Sequence, residues 1–288
     1  MSLDRFVSHR RLLFTVAYEM LGSAADAEDV VQETWLRWAE VDQAEVRDPR
    51  AYLVRIVTRQ ALNRLRTLAR RREEYVGEWL PEPLLTSPDV AEDVELADSV
   101  SIAMLTVLET LGPAERAVFV LREVFDTSYD EIAAAIDKSP AAVRQIAHRA
   151  REHVAARRPR VRVSRAEQRA VVERFLAALR NGDVQGLLDV LAPEVVLRSD
   201  GGGVVAAARH PIEGAEGVAR FLAALAKVAP GARLDTVWLN GAPAARIDFD
   251  GDITAVSLVI EDGRISRIYA IRNPHKLTRL GMEAQLSR

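Results

Sequence analysis

Apolar positions recur at steps of three and four as far as about residue 155, then alternate strictly from about residue 195, so helices precede strands. Ser23-Ala24-Ala25-Asp26 predicts a helix start, with Asp26, Glu28 and Asp29 in a first turn where the helix dipole favours acid. Ala27, Val30 or Val31, Thr34 or Trp35, and Trp38 line its inward stripe. Asp48-Pro49 predicts a second start, an N-cap followed by a proline whose missing N–H costs nothing there. Leu53, Ile56, Val57, Ala61, Leu65 and Leu68 share one face of that helix. Residues 111–154 read as a scaffold helix followed by a helix-turn-helix. Ser128-Tyr129-Asp130-Glu131 is a capping box that carries Ile132, Ala133 and Ile136 inward, and Asp137-Lys138 makes the turn. Ser139-Pro140 starts the second helix of the pair, whose stripe is Val143, Ile146, Ala147, Ala150 and Val154.

Between about Glu73 and Ser99 the periodicity lapses, and Pro81, Pro83 and Pro88 among many acids predict an extended linker. Two further helical patterns, 165–179 and 184–191, precede strands predicted at 195–199, 234–240, 244–249, 253–260 and 264–271. Asn240-Gly241, Asp250-Gly251 and Asp262-Gly263 are hairpin signals between them, and a helix over 217–227 follows the first strand. This pattern predicts an α+β domain with a concave antiparallel sheet. The chain divides into residues 1–75, a linker at 76–100, a second helical domain at 101–160 and the α+β domain at 165–288.

Composition sharpens the picture in three ways. The 288 residues are 49% hydrophobic, enough for two or three packed domains. There is no cysteine, which fits a reducing compartment and excludes thiolate zinc sites and disulfide scaffolds. No apolar run approaches the roughly 20 residues a membrane span needs, and the first residues lack a signal peptide's apolar core, so the expected location is the cytoplasm. A net charge of −3 hides local patterning: arginine clusters at Arg64, Arg66, Arg70, Arg71 and Arg72, and again at Arg157, Arg158, Arg160, Arg162 and Arg165.

Two segments carry candidate chemistry. The outward face of the last helix of the helix-turn-helix presents Ala141, Ala142, Arg144, Gln145, His148 and Arg149. Arg and Gln make bidentate contacts to guanine and adenine edges, and a small Ala lets the backbone come close, so this face suits base reading; the plainer alternative is a scaffold helix pair. In the linker, Trp79-Leu80-Pro81-Glu82-Pro83-Leu84 is too apolar for a spacer, and either another domain or its own neighbouring helix docks on it.

Residues 27–38 (AEDVVQETWLRW), 48–72 and 111–154, with the linker motif, Asp200-Gly201-Gly202-Gly203 and Asn273-Pro274-His275-Lys276-Leu277, together resemble one family. It is the extracytoplasmic-function (ECF) type of bacterial RNA polymerase sigma factor, in the SigJ-like subgroup with a fused C-terminal SnoaL-like domain. The resemblance implies a multidomain fold: two all-α sigma domains, the second with a helix-turn-helix, then an α+β cone-shaped SnoaL-like (nuclear transport factor 2-like) domain. It implies binding to RNA polymerase core, at the β′ clamp helices and the β flap, and to promoter DNA. Asp29, Val30, Gln32, Glu33 and Leu36 would meet the polymerase. Arg59, Asn63, Arg64 and Arg66 would contact the −10 element, with a flipped base received by the loop at 41–47, and the outward helix face would read the −35 element. Trp79 to Leu84, Asp200, Gly201, Gly202, Gly203, Asn273, Pro274, Lys276 and Leu277 would form an interdomain regulatory contact. The chain departs from the family at Gln60 and Asn63, where Asn and Asp are usual, and at His275, where Asp is expected.

The fused domain invites a catalytic reading through Asp200, His210 and Tyr269, but a turn-forming Asp and a lone loop His more often serve structure. No catalytic residue, metal or cofactor is expected, a monomer is expected when the protein is free, and a small-molecule ligand of the C-terminal domain stays open. Two other whole-chain readings also stay open: a one-component helix-turn-helix regulator with a ligand domain, and an enzyme with an accessory DNA-binding region.

Overall fold

Ser23 and Asp48 start the two long helices of the first domain. In the computed structural model the Ser23 side chain accepts from the Asp26 amide at the head of α3 (Ala24–Ala39), and Asp48 accepts from Ala51 at the head of α4 (Pro49–Glu73). Before them stand α1 (Ser2–Val7) and α2 (Arg10–Leu21). Ala27, Val30, Val31, Thr34 and Trp38 are buried along α3, and Leu53, Val57, Ala61 and Leu65 along α4. The structure describes residues 2–91, 93–158 and 163–288, and within these the side chains of all but 2–4, 69–73 and 91. The side chains of Arg70, Arg71 and Arg72, and all of Arg160 and Arg162, lie outside the described residues.

The linker is extended only in part. Beyond residue 86 it forms a 3-10 turn (Pro88–Ala91) and α5 (Val94–Ser99), where Asp93 accepts from the Leu96 amide as an N-cap and Leu96 and Ala97 turn inward. Acids that read as spacer are thus a cap in front of a short apolar run. Then follow α6 (Ile102–Leu108) and α7 (Pro113–Phe119), which runs into a π turn (Val120–Val124). The helix-turn-helix is α8 (Tyr129–Ile136) and α9 (Pro140–Ala155), with the predicted capping box at Ser128, Asp137 at φ 57° in the turn, and Ser139 capping α9.

In the last domain α10 (Arg165–Asn181) and α11 (Val184–Val190) lead into β1 (Leu191–Asp200) and a short β2 (Ile212–Glu213). α12 (Ala215–Val228) precedes β3 (Arg233–Leu239), β4 (Ala242–Phe249), β5 (Asp252–Glu261) and β6 (Arg264–Ile271), and α13 (Pro274–Leu277) closes the domain. The sheet order is β2-β1-β6-β5-β4-β3. It is mixed, not purely antiparallel as the hairpin signals imply, because β6 lies parallel to β1. Turn residues encode only the consecutive hairpins, whereas the β1–β6 pairing closes over everything between them.

Period-two alternation gives the sheet two apolar faces. Ala245, Val256, Leu258, Ile260, Ile265 and Ile268 meet α10, α11 and α12. Ala244, Ala255, Val259, Tyr269 and Ile271 meet Leu80 of the linker and Ile102 and Ala103 of α6. A third apolar cluster runs without a break from the first helical domain into the second, joining α2, α3 and α4 to α6 through α9. Among the described residues no helix is long and apolar enough to cross a membrane.

Ile102 is fully buried on the sheet's outer face, so Ile102→Ala should remove about 2–4 kcal/mol through lost burial and a residual cavity. Chemical denaturation checks this, and an unchanged midpoint would mean that the sheet and α6 do not pack together in solution.

Candidate nucleic-acid interface and interdomain clasp

The exposed face of α3 carries Asp29, Gln32, Glu33 and Leu36, with Leu36 56% exposed. Val30 does not belong with them. It is 1% exposed in the domain core, because it sits on the stripe shared with Ala27 and Val31, and it supports the helix from inside. Arg64 crosses from α4 to pair with Asp29 at 2.9 Å, Asp26 at 3.5 Å and Glu33 at 3.8 Å, so this expected DNA contact sits against the expected polymerase-binding acids. Asn63 and Arg66 are exposed, with Arg66 donating to the Asn63 side-chain Oδ1 at 3.4 Å.

Arg59 is placed otherwise than the sequence suggests. Its Nε donates to the Ala135 carbonyl at 3.1 Å and its Nη2 to the Ala134 carbonyl at 2.9 Å. Both carbonyls belong to the last turn of α8, the negative end of that helix, where a cation is favoured. The expected −10 contact therefore ties the first helical domain to the helix-turn-helix. On α9, Val143, Ile146, Ala147 and Ala150 are buried, and Ala141, Arg144, Gln145, His148 and Arg149 are exposed, with Ala142 half-buried beside them. Arg144 also lies over the Tyr129 ring, 5.6 Å from its centroid.

The linker motif, Asp200 and the terminal motif meet. Asp200 is fully buried at the end of β1, and its Oδ1 accepts from Tyr75 Oη at 2.6 Å and from the Gly202 amide at 3.0 Å. Its Oδ2 accepts from the Leu80 amide at 2.9 Å and from Lys276 Nζ at 2.7 Å. Lys276 also donates to the Leu80 carbonyl at 2.5 Å and sits 4.0 Å from the Trp79 ring centroid, a desolvated cation–π contact. Asn273 donates to Tyr75 Oη at 2.7 Å. A side chain at Gly202, which has φ 62°, would run into the Asn273 amide, so this glycine lets the two motifs close on each other. Burial, with the Asp200 carboxylate beside it, pushes the Tyr75 phenol up, so it stays a donor. Asp200 is thus a structural carboxylate, His210 is exposed in its loop, and Tyr269 is buried on the sheet face that packs the linker.

Glu82 faces the other way. Its Oε2 accepts from the Ala24 amide at 2.7 Å and the Ala25 amide at 3.2 Å, the first free N–H groups of α3. Its own amide donates to Gly22 O at 2.8 Å, and its carbonyl accepts from Tyr18 Oη at 2.6 Å. Beside it, Ser99 Oγ donates to Oε1 of the fully buried Glu19 carboxyl group at 2.8 Å, and Arg116 donates to the Glu19 backbone O at 3.0 Å and pairs with Glu109. The tail crosses the same region: Ala284 N donates to Leu85 O at 2.8 Å, Ser287 N to Thr15 Oγ1 at 3.1 Å, and Arg288 pairs with Asp93 at 3.2 Å and with Glu95. Tyr75, Tyr18, Glu19 and Arg116 gave no sequence signal, because isolated polar residues in helical or irregular segments read as surface.

Family models match for Sigma-70 region 2 over residues 6–71, Sigma-70 region 4 over residues 101–154 and a SnoaL-like domain over residues 172–268. The chain is 36% identical to the ECF RNA polymerase sigma factor SigJ of Mycobacterium tuberculosis, covering 96% of this chain and 94% of that one. It is 38% identical to the probable ECF RNA polymerase sigma factor SigI of the same species, covering 65% and 66%. The crystal structure of M. tuberculosis SigJ superposes with a TM-score of 0.80 at 34% identity, over 96% of this chain and 99% of that one.

Burial pushes Glu19 from 4.5 up to about 8, against the pull of the Ser99 hydroxyl and the Arg116 charge. A raised acid binds its proton in the folded state and releases it on unfolding, so its contribution is full below pH 4.5 and lost as pH rises through about 8. The melting temperature should therefore fall more steeply for the parent than for Glu19→Gln between about pH 5 and about pH 8. Parallel pH profiles would show that Glu19 does not change its proton affinity on folding.

Proposed function

The chain belongs to the ECF RNA polymerase sigma factors, in the SigJ-like subgroup with a fused SnoaL-like domain, and from that premise we propose how its parts divide the work of initiation. Proteins of this family direct promoter recognition and transcription initiation. The first domain binds polymerase core through Asp29, Gln32, Glu33 and Leu36 on the β′ clamp helices, a reading supported by their common exposed face. Arg59, Asn63, Arg64 and Arg66 serve the −10 element, and the second domain meets the β flap and reads the −35 element with Ala141, Ala142, Arg144, Gln145, His148 and Arg149. The C-terminal domain acts in cis through the clasp rather than as an enzyme, which its engaged Asp200 supports. The protein works in the cytoplasm, as a monomer when free.

One observation carries the regulatory part: the hydrogen bonds from Arg59 to the end of α8. Elements named −10 and −35 lie about 25 base pairs apart, about 85 Å along B-DNA at about 3.4 Å per pair. Domains joined by a side-chain hydrogen bond cannot span that distance. This arrangement is therefore a closed form, and promoter binding requires the two helical domains to part. The C-terminal domain grips the linker that joins them, which makes it the natural keeper of the closed form.

Core polymerase supplied with the full-length protein should initiate at mapped promoters, and a form ending after α9 should give a different output from the same templates. Equal output would overturn regulation in cis, and no initiation by either form would overturn the sigma reading. Arg144→Ala should lose about 1–3 kcal/mol of discrimination at one −35 base pair. Binding measured over all substitutions of the element decides this, since a uniform loss would mark Arg144 as a phosphate contact.

A further inference from the structure

Asn240 and Gly241 form the tip of the β3–β4 hairpin, with φ of 51° and 73°. Their surroundings are not those of a free turn. Asn240 is 1% exposed, and its amide is shared among three parts of the chain. Oδ1 accepts from the Leu84 amide of the linker at 2.9 Å. Nδ2 donates to Tyr18 Oη on α2 at 2.7 Å and to the Val100 carbonyl, between α5 and α6, at 2.7 Å. Gly241 donates to Thr86 Oγ1 at 3.0 Å, and a Cβ there would lie 2.7 Å from that of Ala97.

The other hairpins of the sheet provide the control. Asp250-Gly251 and Asp262-Gly263 adopt the same backbone, with φ of 52° and 50° at the aspartates, and both aspartates are exposed. Asp serves such a turn as well as Asn does. Only the buried tip carries a carboxamide, whose one acceptor and two donors match one N–H and two oxygens. A carboxylate there would set a second oxygen against the Val100 carbonyl. The Asp200 clasp differs in reach, since Tyr75 ends the first helical domain and Trp79 and Leu80 lie in the first half of the linker.

We propose that the Asn240–Gly241 tip is a second interdomain site, separate from the Asp200 clasp, and that Asn240 is the positioning residue that holds the first helical domain against the helix-turn-helix domain. This rests on the reading that the C-terminal domain acts in cis. The clasp keeps the linker on the C-terminal domain, and the tip decides whether the helical domains stay together.

The absence of cysteine gives a direct test in the full chain. Glu40→Cys on the first helical domain and Ala155→Cys on α9, both exposed, take a spin-label pair whose distance distribution reports closure. Asn240→Gly keeps the positive φ without strain and removes the amide, and Asn240→Asp keeps the turn. Both should raise the separated population about ten- to hundredfold, since buried partners are left unpaired. Tyr18→Phe, made from the other side, should act in the same direction by less. The Leu80 amide should keep its hydrogen-exchange protection in all three. Unchanged distances in both Asn240 variants overturn the proposal, and so does loss of Leu80 protection along with closure, which would mean one cooperative interface. If Asp200→Ala alone opens the domains, regulation in cis stands and the role of the tip falls. If Asp200→Ala and Asn240→Gly both leave distance and promoter-directed transcription at parental levels, regulation in cis falls as well.

Discussion

Burying an extended linker without stranding its backbone is the constraint on which the arrangement depends. Residues 80–84 are buried, and each buried backbone group left unpaired costs about 1–3 kcal/mol. Pro81 and Pro83 carry no N–H and hold Leu80 and Glu82 extended. The three donors that remain alternate between two bodies: Leu80 to Asp200 and Leu84 to Asn240 of the C-terminal domain, and Glu82 to Gly22 of the first helical domain. The carbonyls of Leu80, Glu82 and Leu84 follow the same order, accepting from Lys276, from Tyr18 and from the backbone N–H of Asn240. The segment can be dry only when the first helical domain and the C-terminal domain are both against it.

Because one strand serves both neighbours, a change on one side reaches the other. Glu82 caps the helix that bears Asp29, Gln32, Glu33 and Leu36, and it lies two residues from Leu80 and two from Leu84, at both of which the C-terminal domain holds the linker. Asp200 and Lys276 form a buried pair in which removing either partner leaves a charge without compensation, a larger loss than the pair's net contribution. Such contacts add little stability but admit one geometry, which is what a clasp between domains requires.

Elements and pairings differ in how far the residues announce them. The capping box at Ser128, the Ser139-Pro140 start and the Asp-Gly hairpins are local chemistry, and they stand where the pattern puts them. The motifs at Trp79, Asp200 and Asn273 were legible as a group through resemblance, although Asp200 taken alone reads as a turn residue. What stayed hidden depends on parts of the chain far apart in sequence. Val30 and its neighbours differ only in which side of a helix meets the core. Arg59 reads as a phosphate contact until α8 lies beside it. Asn240 reads as a turn because a turn is all that its neighbours in sequence can reveal.

The closed form must also open. Shifting a two-state equilibrium from 1:99 to 99:1 takes about 5.5 kcal/mol of differential binding, and parting the helical domains must also expose the apolar cluster they share, so the incoming partner has to bind only the separated domains. Polymerase and promoter DNA are such partners in the proposed scheme, since the two DNA elements lie too far apart for domains in contact. Arg59 makes the exchange economical. Its guanidinium rests on the α8 carbonyls here, and in the open form proposed above phosphate oxygens would accept the same N–H groups. On that proposal the charge would have an acceptor in either end state, and closure and DNA would compete for one side chain.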